Sequence, residues 1–122
     1  MMPTPSDNGI LRKSRPQISV LDFNRNTLLE MIRDNLREKK VIAAYIFGSF
    51  AQEKENLWSD IDLIIVKDSS LPFIERPREF FDLLDIGVPL DILVYSPVEF
   101  AKMQNEQNGF WKEINSTIFQ IV

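Results

Sequence analysis

Apolar residues recur at helical spacing between Thr27 and Lys40, with Leu28, Leu29, Met31, Ile32 and Leu36 on one side. Thr27 and Glu30 are spaced as a capping box, and Arg37, Lys39 and Lys40 suit the negative end of a helix dipole. The pattern then changes. Val41 to Phe47, VIAAYIF, is almost wholly apolar, as expected of a strand covered on both faces. Gly48-Ser49 ends it, and Phe50 to Glu55 predicts a short helix. A second apolar strand is expected over Ile61–Val66. Pro77 to about Asp85 predicts a helix opened by proline and closed by Gly87, with Phe80, Phe81 and Leu84 as its apolar face. Pro89–Val94 predicts a third strand. Ser96 and Glu99 form a second capping box for a helix to about Gln104. A helical turn or two is expected over Phe110–Ile114, and a closing strand over Ile118–Val122.

This alternation of helices and strands suggests an α/β chain, and taken alone a parallel doubly wound sheet. The thirteen residues between Phe47 and Ile61 are marginal for a full crossover helix, which leaves a mixed sheet open. Residues 1–22, with Pro3, Pro5, Gly9, Pro16 and the basic cluster Arg12-Lys13-Arg15, read as a flexible tail. Ile18 to Phe23 has the composition of a short extended piece docking on the body. Residues 23–122 form the expected domain.

Composition narrows the chemistry. Hydrophobic residues make up 44% and charged residues 26% of 122 residues, an ordinary globular profile. There is no histidine and no cysteine, which excludes Ser-His-Asp and Cys-His catalysis and leaves no typical zinc donors. The lack of cysteine suits a reducing cytoplasm, the expected location. No apolar run has the length of a membrane span, and the N-terminal segment lacks the apolar core of a secretory signal. The net charge of −4 argues against direct nucleic-acid binding as the main task.

Carboxylates, hydroxyls, Lys, Arg and bound ions must therefore carry any catalysis. Asp60 and Asp62 stand two apart at the start of a strand, so they project to one face. Such a pair repels, and a divalent cation held by oxygen ligands, Mg²⁺ or Mn²⁺, relieves the repulsion. Asp91 is a lone charge in PLDILVY. It either completes that cation site or pairs with Lys67 or Arg78 in a structural salt bridge. Gly48-Ser49, between a buried strand and a short helix, fits a phosphate turn or an ordinary one.

Taken together, GSFAQEKENLWSDIDLIIV resembles the signature of the polymerase-beta-like nucleotidyltransferase superfamily. In that signature Gly-Ser is followed after about ten residues by Asp-x-Asp, and a third Asp lies on a later strand. The short length and the SPVEF and FWKEI segments look like the minimal nucleotidyltransferase group. The resemblance covers roughly Phe23 to Val122. It implies a nucleotidyltransferase-like mixed β-sheet flanked by helices, with the site at one sheet edge. It implies an enzyme that moves AMP from ATP to an acceptor hydroxyl. Asp60, Asp62 and Asp91 would be the catalytic and metal-binding residues, and Gly48 and Ser49 would bind the nucleotide. It also implies an antitoxin whose partner is a HEPN-type protein, with homo-oligomerisation left open. The alternative is a non-catalytic nucleotide-binding module that neutralises a HEPN ribonuclease by occlusion. Transfer to a small molecule would usually need a further domain. Phe110, Trp111 and the IFQIV edge are candidates for docking the partner.

Overall fold

A computed structural model of the chain describes residues 18–122. The basic cluster and residues 1–17 of the tail expected over residues 1–22 lie outside the described residues, whereas its last five residues are ordered against the body. Residues 18–22 turn onto the body. Ser19 caps a short 3-10 turn, Val20–Asp22, through a reciprocal capping box, and Val20 is buried in the core.

Helix α1 runs over Arg25–Glu38 and buries Leu28, Leu29, Ile32 and Leu36. Its cap is Asn24, whose side chain accepts from Thr27 N, so the expected Thr27–Glu30 box does not form. Asparagine outranks threonine as an N-cap, and the helix starts one turn earlier as a result. Strand β1 spans Ala43–Phe47, α2 Gly48–Ala51, β2 Ile61–Val66 and β3 Leu90–Tyr95. Helix α3 covers Pro97–Gln104 with the Ser96–Glu99 capping box formed as expected, and α4 covers Gly109–Thr117. The closing strand, β4, is shorter than expected, Phe119–Gln120, although Ile121 and Val122 still donate to Ala44 O.

The segment expected as a helix from Pro77 is instead a run of tight 3-10 turns over Phe73–Ile86. Pro77 sits inside it, where a regular α-helix would clash with the carbonyl of Phe73. Gly87 ends the run in the left-handed conformation, as its position suggested.

The four strands form one mixed sheet in the order β3-β2-β1-β4. Strand β1 is antiparallel to both β2 and β4, whereas β2 and β3 are parallel. The short link between β1 and β2 therefore makes an antiparallel turn, and the longer link before β3 makes the crossover. One face of the sheet (Ala44, Ile46, Leu63, Ile65, Val94) packs under α1 and the 3-10 run with Phe80 and Leu83. The other face (Ala43, Phe47, Ile64, Val66, Tyr95) packs under α3 and α4 with Phe100 and Ile114. Burial on both faces explains why β1 and β2 read as apolar runs.

Candidate active site

The parallel pairing of β2 with β3 places Asp62 opposite Asp91, and antiparallel pairing places Phe47 opposite Asp62. Ile61 N donates to Pro89 O at 3.0 Å, which pins the starts of β2 and β3 together. Alternation along β2 puts Asp62 on the same face as Ile64 and Val66, the α4 face. Asp60, one residue before β2, and Asp91 are exposed, while Asp62 is partly buried. The three carboxylates found in sequence thus come together at one end of the sheet.

Asp62 feels this crowding. Its carboxyl is pushed up from 3.8 to about 6, first by burial and then by the negative charges of Asp91 and Asp60. Among the described residues no ion pair relieves any of the three. The expected structural alternative for Asp91 does not form, because Lys67 pairs with Glu79 and Arg78 reaches Glu75. Among the described residues no three acidic side chains stand close enough to enclose a cation as they lie. Their chemistry still fits one. The donors are all oxygen, Asp62 and Asp91 lie on neighbouring strands with Asp60 just before β2, and a cation would favour the charged form of Asp62 that the site otherwise disfavours.

Gly48 is required by geometry. Its φ is +78°, in the left-handed region, and a Cβ there would lie 2.2 Å from Asp62 Oδ2. The glycine lets the Asp62 carboxylate rest against the turn backbone. The turn opens directly into α2, whose first amides have no partner within so short a helix.

Two supporting residues had no clear signal in the sequence. The Ser59 hydroxyl, in a buried residue, accepts from Asn56 N at 2.8 Å and from the Ser49 hydroxyl at 3.0 Å. It ties the Gly48-Ser49 turn to the loop that delivers Asp60. Only its place next to Asp60 hinted at this. Arg25 donates to Phe50 O at 2.6 Å, pairs with Glu55 and lies over the Phe50 ring, so it clamps α2 from the far side. Nothing local in sequence announces an arginine acting across 25 positions.

The sequence pattern of the family described as Polymerase beta, Nucleotidyltransferase matches residues 30–121. The chain belongs to that family. The match takes in the glycine turn and all three aspartates. The chain is also similar to the protein adenylyltransferase MntA of Shewanella oneidensis, at 28% identity over 93 residues. That alignment covers 73% of this chain and 66% of the Shewanella protein, so the chain spans just under two thirds of the length of this relative. Two solved structures are similar in part. A candidate nucleotidyltransferase from Sulfolobus solfataricus matches with a TM-score of 0.49 and 19% identity, covering 64% of this chain and 75% of the other. A toxin–antitoxin structure with AMP-PNP matches with a TM-score of 0.47 and 21% identity, covering 82% and 73%. No helix among the described residues is long and apolar enough to cross a membrane.

Proposed function

We propose that this chain is a Mg²⁺- or Mn²⁺-dependent adenylyltransferase that moves AMP from ATP to a hydroxyl on a toxin partner of the HEPN type, and so acts as an antitoxin. The observation that carries the reading is the direct pairing of Asp62 with Asp91 beside a glycine whose left-handed φ and close approach to Asp62 leave no room for a side chain. Family membership and the name of the Shewanella relative support it.

In this reading Asp60 and Asp62 would hold the cation, and Asp91 would share it or take the proton of the acceptor hydroxyl. The cation, when bound, neutralises charge building on the attacking and leaving oxygens. Gly48 and Ser49 hold the donor phosphates. To donate to a phosphate oxygen, the Ser49 hydroxyl turns away from Ser59, which it meets at 3.0 Å. The acceptor oxygen forms its bond to the α-phosphorus, the bond to pyrophosphate breaks, and the acceptor proton passes to a carboxylate. Asp62, pushed up by burial and by the charges of Asp91 and Asp60, would be favoured in its ionised form with a cation beside it.

The test is incubation of the chain with labelled ATP, Mg²⁺ and the neighbouring gene's product, followed by intact-mass measurement. A gain of one AMP on the partner is expected. A tight complex that silences the partner without any mass gain would favour the occlusion module instead.

A further inference from the structure

Phe47 lies on the same face of the sheet as Asp62, its cross-strand partner. Beyond it, between the Gly48 turn and α4, is a cavity of about 190 Å³. Its apolar walls are Phe47, Phe110 and Ile114, its floor reaches Gly48, and the polar residues Gln52, Glu113 and Thr117 complete it. Pockets that take whole ligands run to about 300–1,000 Å³, so this one fits a flat fragment.

Its position says which fragment. Gly48 belongs both to the cavity and to the turn that touches the Asp62 carboxylate. Asp91 is on β3, on the opposite flank of β2 from β1 and the cavity. A nucleotide held at the Gly48 turn can therefore reach the cavity with its base while the Asp91 side stays open to the acceptor. Phe110 is 62% exposed, yet its ring is held edge-to-face by Trp111 at 5.8 Å, and Trp111 in turn meets Tyr95. That is a fixed, uncovered aromatic surface. Among the described residues Glu113 has no ion pair, so its carboxylate is available to accept from an amino group.

We propose that this cavity binds the base of the donor nucleotide, with Phe110 as its stacking surface and Glu113 accepting from the exocyclic amino group of adenine. The assignment rests on the nucleotidyl-transfer reading above. Glu113 selects against bases that present a carbonyl oxygen in that place, as hypoxanthine does. Phe110 supplies affinity whatever the base, because every base has a π face.

The test is calorimetric titration of the full chain with Mg-ATP, Mg-ITP and Mg-tripolyphosphate, the last having phosphates and no base. Phe110→Ala should weaken Mg-ATP binding by about tenfold or more and leave tripolyphosphate binding unchanged. Phe110→Trp should keep wild-type affinity. Glu113→Gln should narrow the preference for ATP over ITP. In transfer assays Phe110→Ala should raise the KM for ATP with kcat preserved. If wild type binds Mg-ATP and Phe110→Ala binds it equally well, the cavity is not the base site, and nucleotidyl transfer still stands. If wild type binds ATP no better than tripolyphosphate, the cavity assignment also fails. If it binds neither, both readings fall.

Discussion

The two ends of the β2–β3 pair handle charge in opposite ways. At the start of the strands Asp60, Asp62 and Asp91 crowd together with no compensating cationic side chain among the described residues, and the Asp62 carboxyl is pushed up to about 6. At the other end Lys39, Lys67 and Arg76 all have partners. Lys67 pairs with Glu79 and donates to Lys39 O. Lys39 pairs with Asp82, which also accepts from Asn35. Arg76 pairs with Glu99 at 2.6 Å and donates to Leu71 O and Val94 O. There Asp82 and Glu99 are held below the usual carboxylate range, mainly by hydrogen bonds from Lys39 and Arg76. One end is arranged for folding. The other concentrates negative charge that no cationic side chain among the described residues offsets.

The largest effect should come from separating these roles at Asp62. On the proposed reading, in which Asp62 would ligate a cation, Asp62→Asn should lower AMP transfer on the order of 10³-fold. It should also stabilise the cation-free protein by about 1–2 kcal/mol at neutral pH, because the repulsion goes with the charge. Rate assays and urea denaturation in chelator measure both. A variant that loses transfer and stability together would make Asp62 a structural residue. Asp91→Asn should give a comparable loss of transfer with a denaturation midpoint no lower than that of the wild type, since Asp91 is exposed, makes no ion pair among the described residues and only adds to the crowding at Asp62.

Next comes Gly48→Ala. It forces a left-handed non-glycine residue and drives a methyl group into the Asp62 carboxylate, at a cost of about 2 kcal/mol or more. Transfer should fall with it. Combining Gly48→Ala with Asp62→Gly should recover part of the stability and none of the activity. If Gly48→Ala alone is fully stable and active, the close approach does not matter.

At the paired end, Arg76→Ala should cost about 1–2 kcal/mol of stability, because it releases two backbone carbonyls and Glu99. Transfer per folded molecule should not change. A selective loss of transfer would break the contrast between the two ends.

The smallest effect is in pH. Asp62 has a folded pKa above its ordinary 3.8, so the folded state binds its proton more tightly. Its penalty is fully present above pH 6 and is relieved as pH falls from about 6 towards 3.8. Asp82 and Glu99 have lowered values, so their contribution is complete above 3.8 and 4.5 and fades as pH falls through their folded values. In chelator the protein should therefore gain about 1 kcal/mol between pH 7 and pH 5 before acid destabilises it. Asp62→Asn should remove the gain and keep the acid limb. Thermal melts across that range test the sign.

The sequence by itself determined the pieces whose signal is local. Strand β2 falls where its apolar run placed it, Ser96 and Glu99 cap α3 as their spacing implied, and Gly87 closes the segment before β3. The Asp60-x-Asp62 pair was readable because alternation fixes which side chains share a face, whereas Gly48-Ser49 and Asp91 were joined to it by the resemblance to the family signature. Tertiary structure decided the rest. Pairing order made the sheet mixed, since helix–strand alternation is blind to strand direction. Register set Asp91 opposite Asp62, a relation across twenty-nine positions that no local spacing encodes. Ser59, Arg25 and Phe110 acquire their places because long-range folding brings distant backbone beside them, and a side chain's neighbours are written in the packing of other segments. The end of β4 was misjudged for the same reason: apolar residues at 118–122 are needed by the core as much as by a ladder, and Ile121 goes to the core.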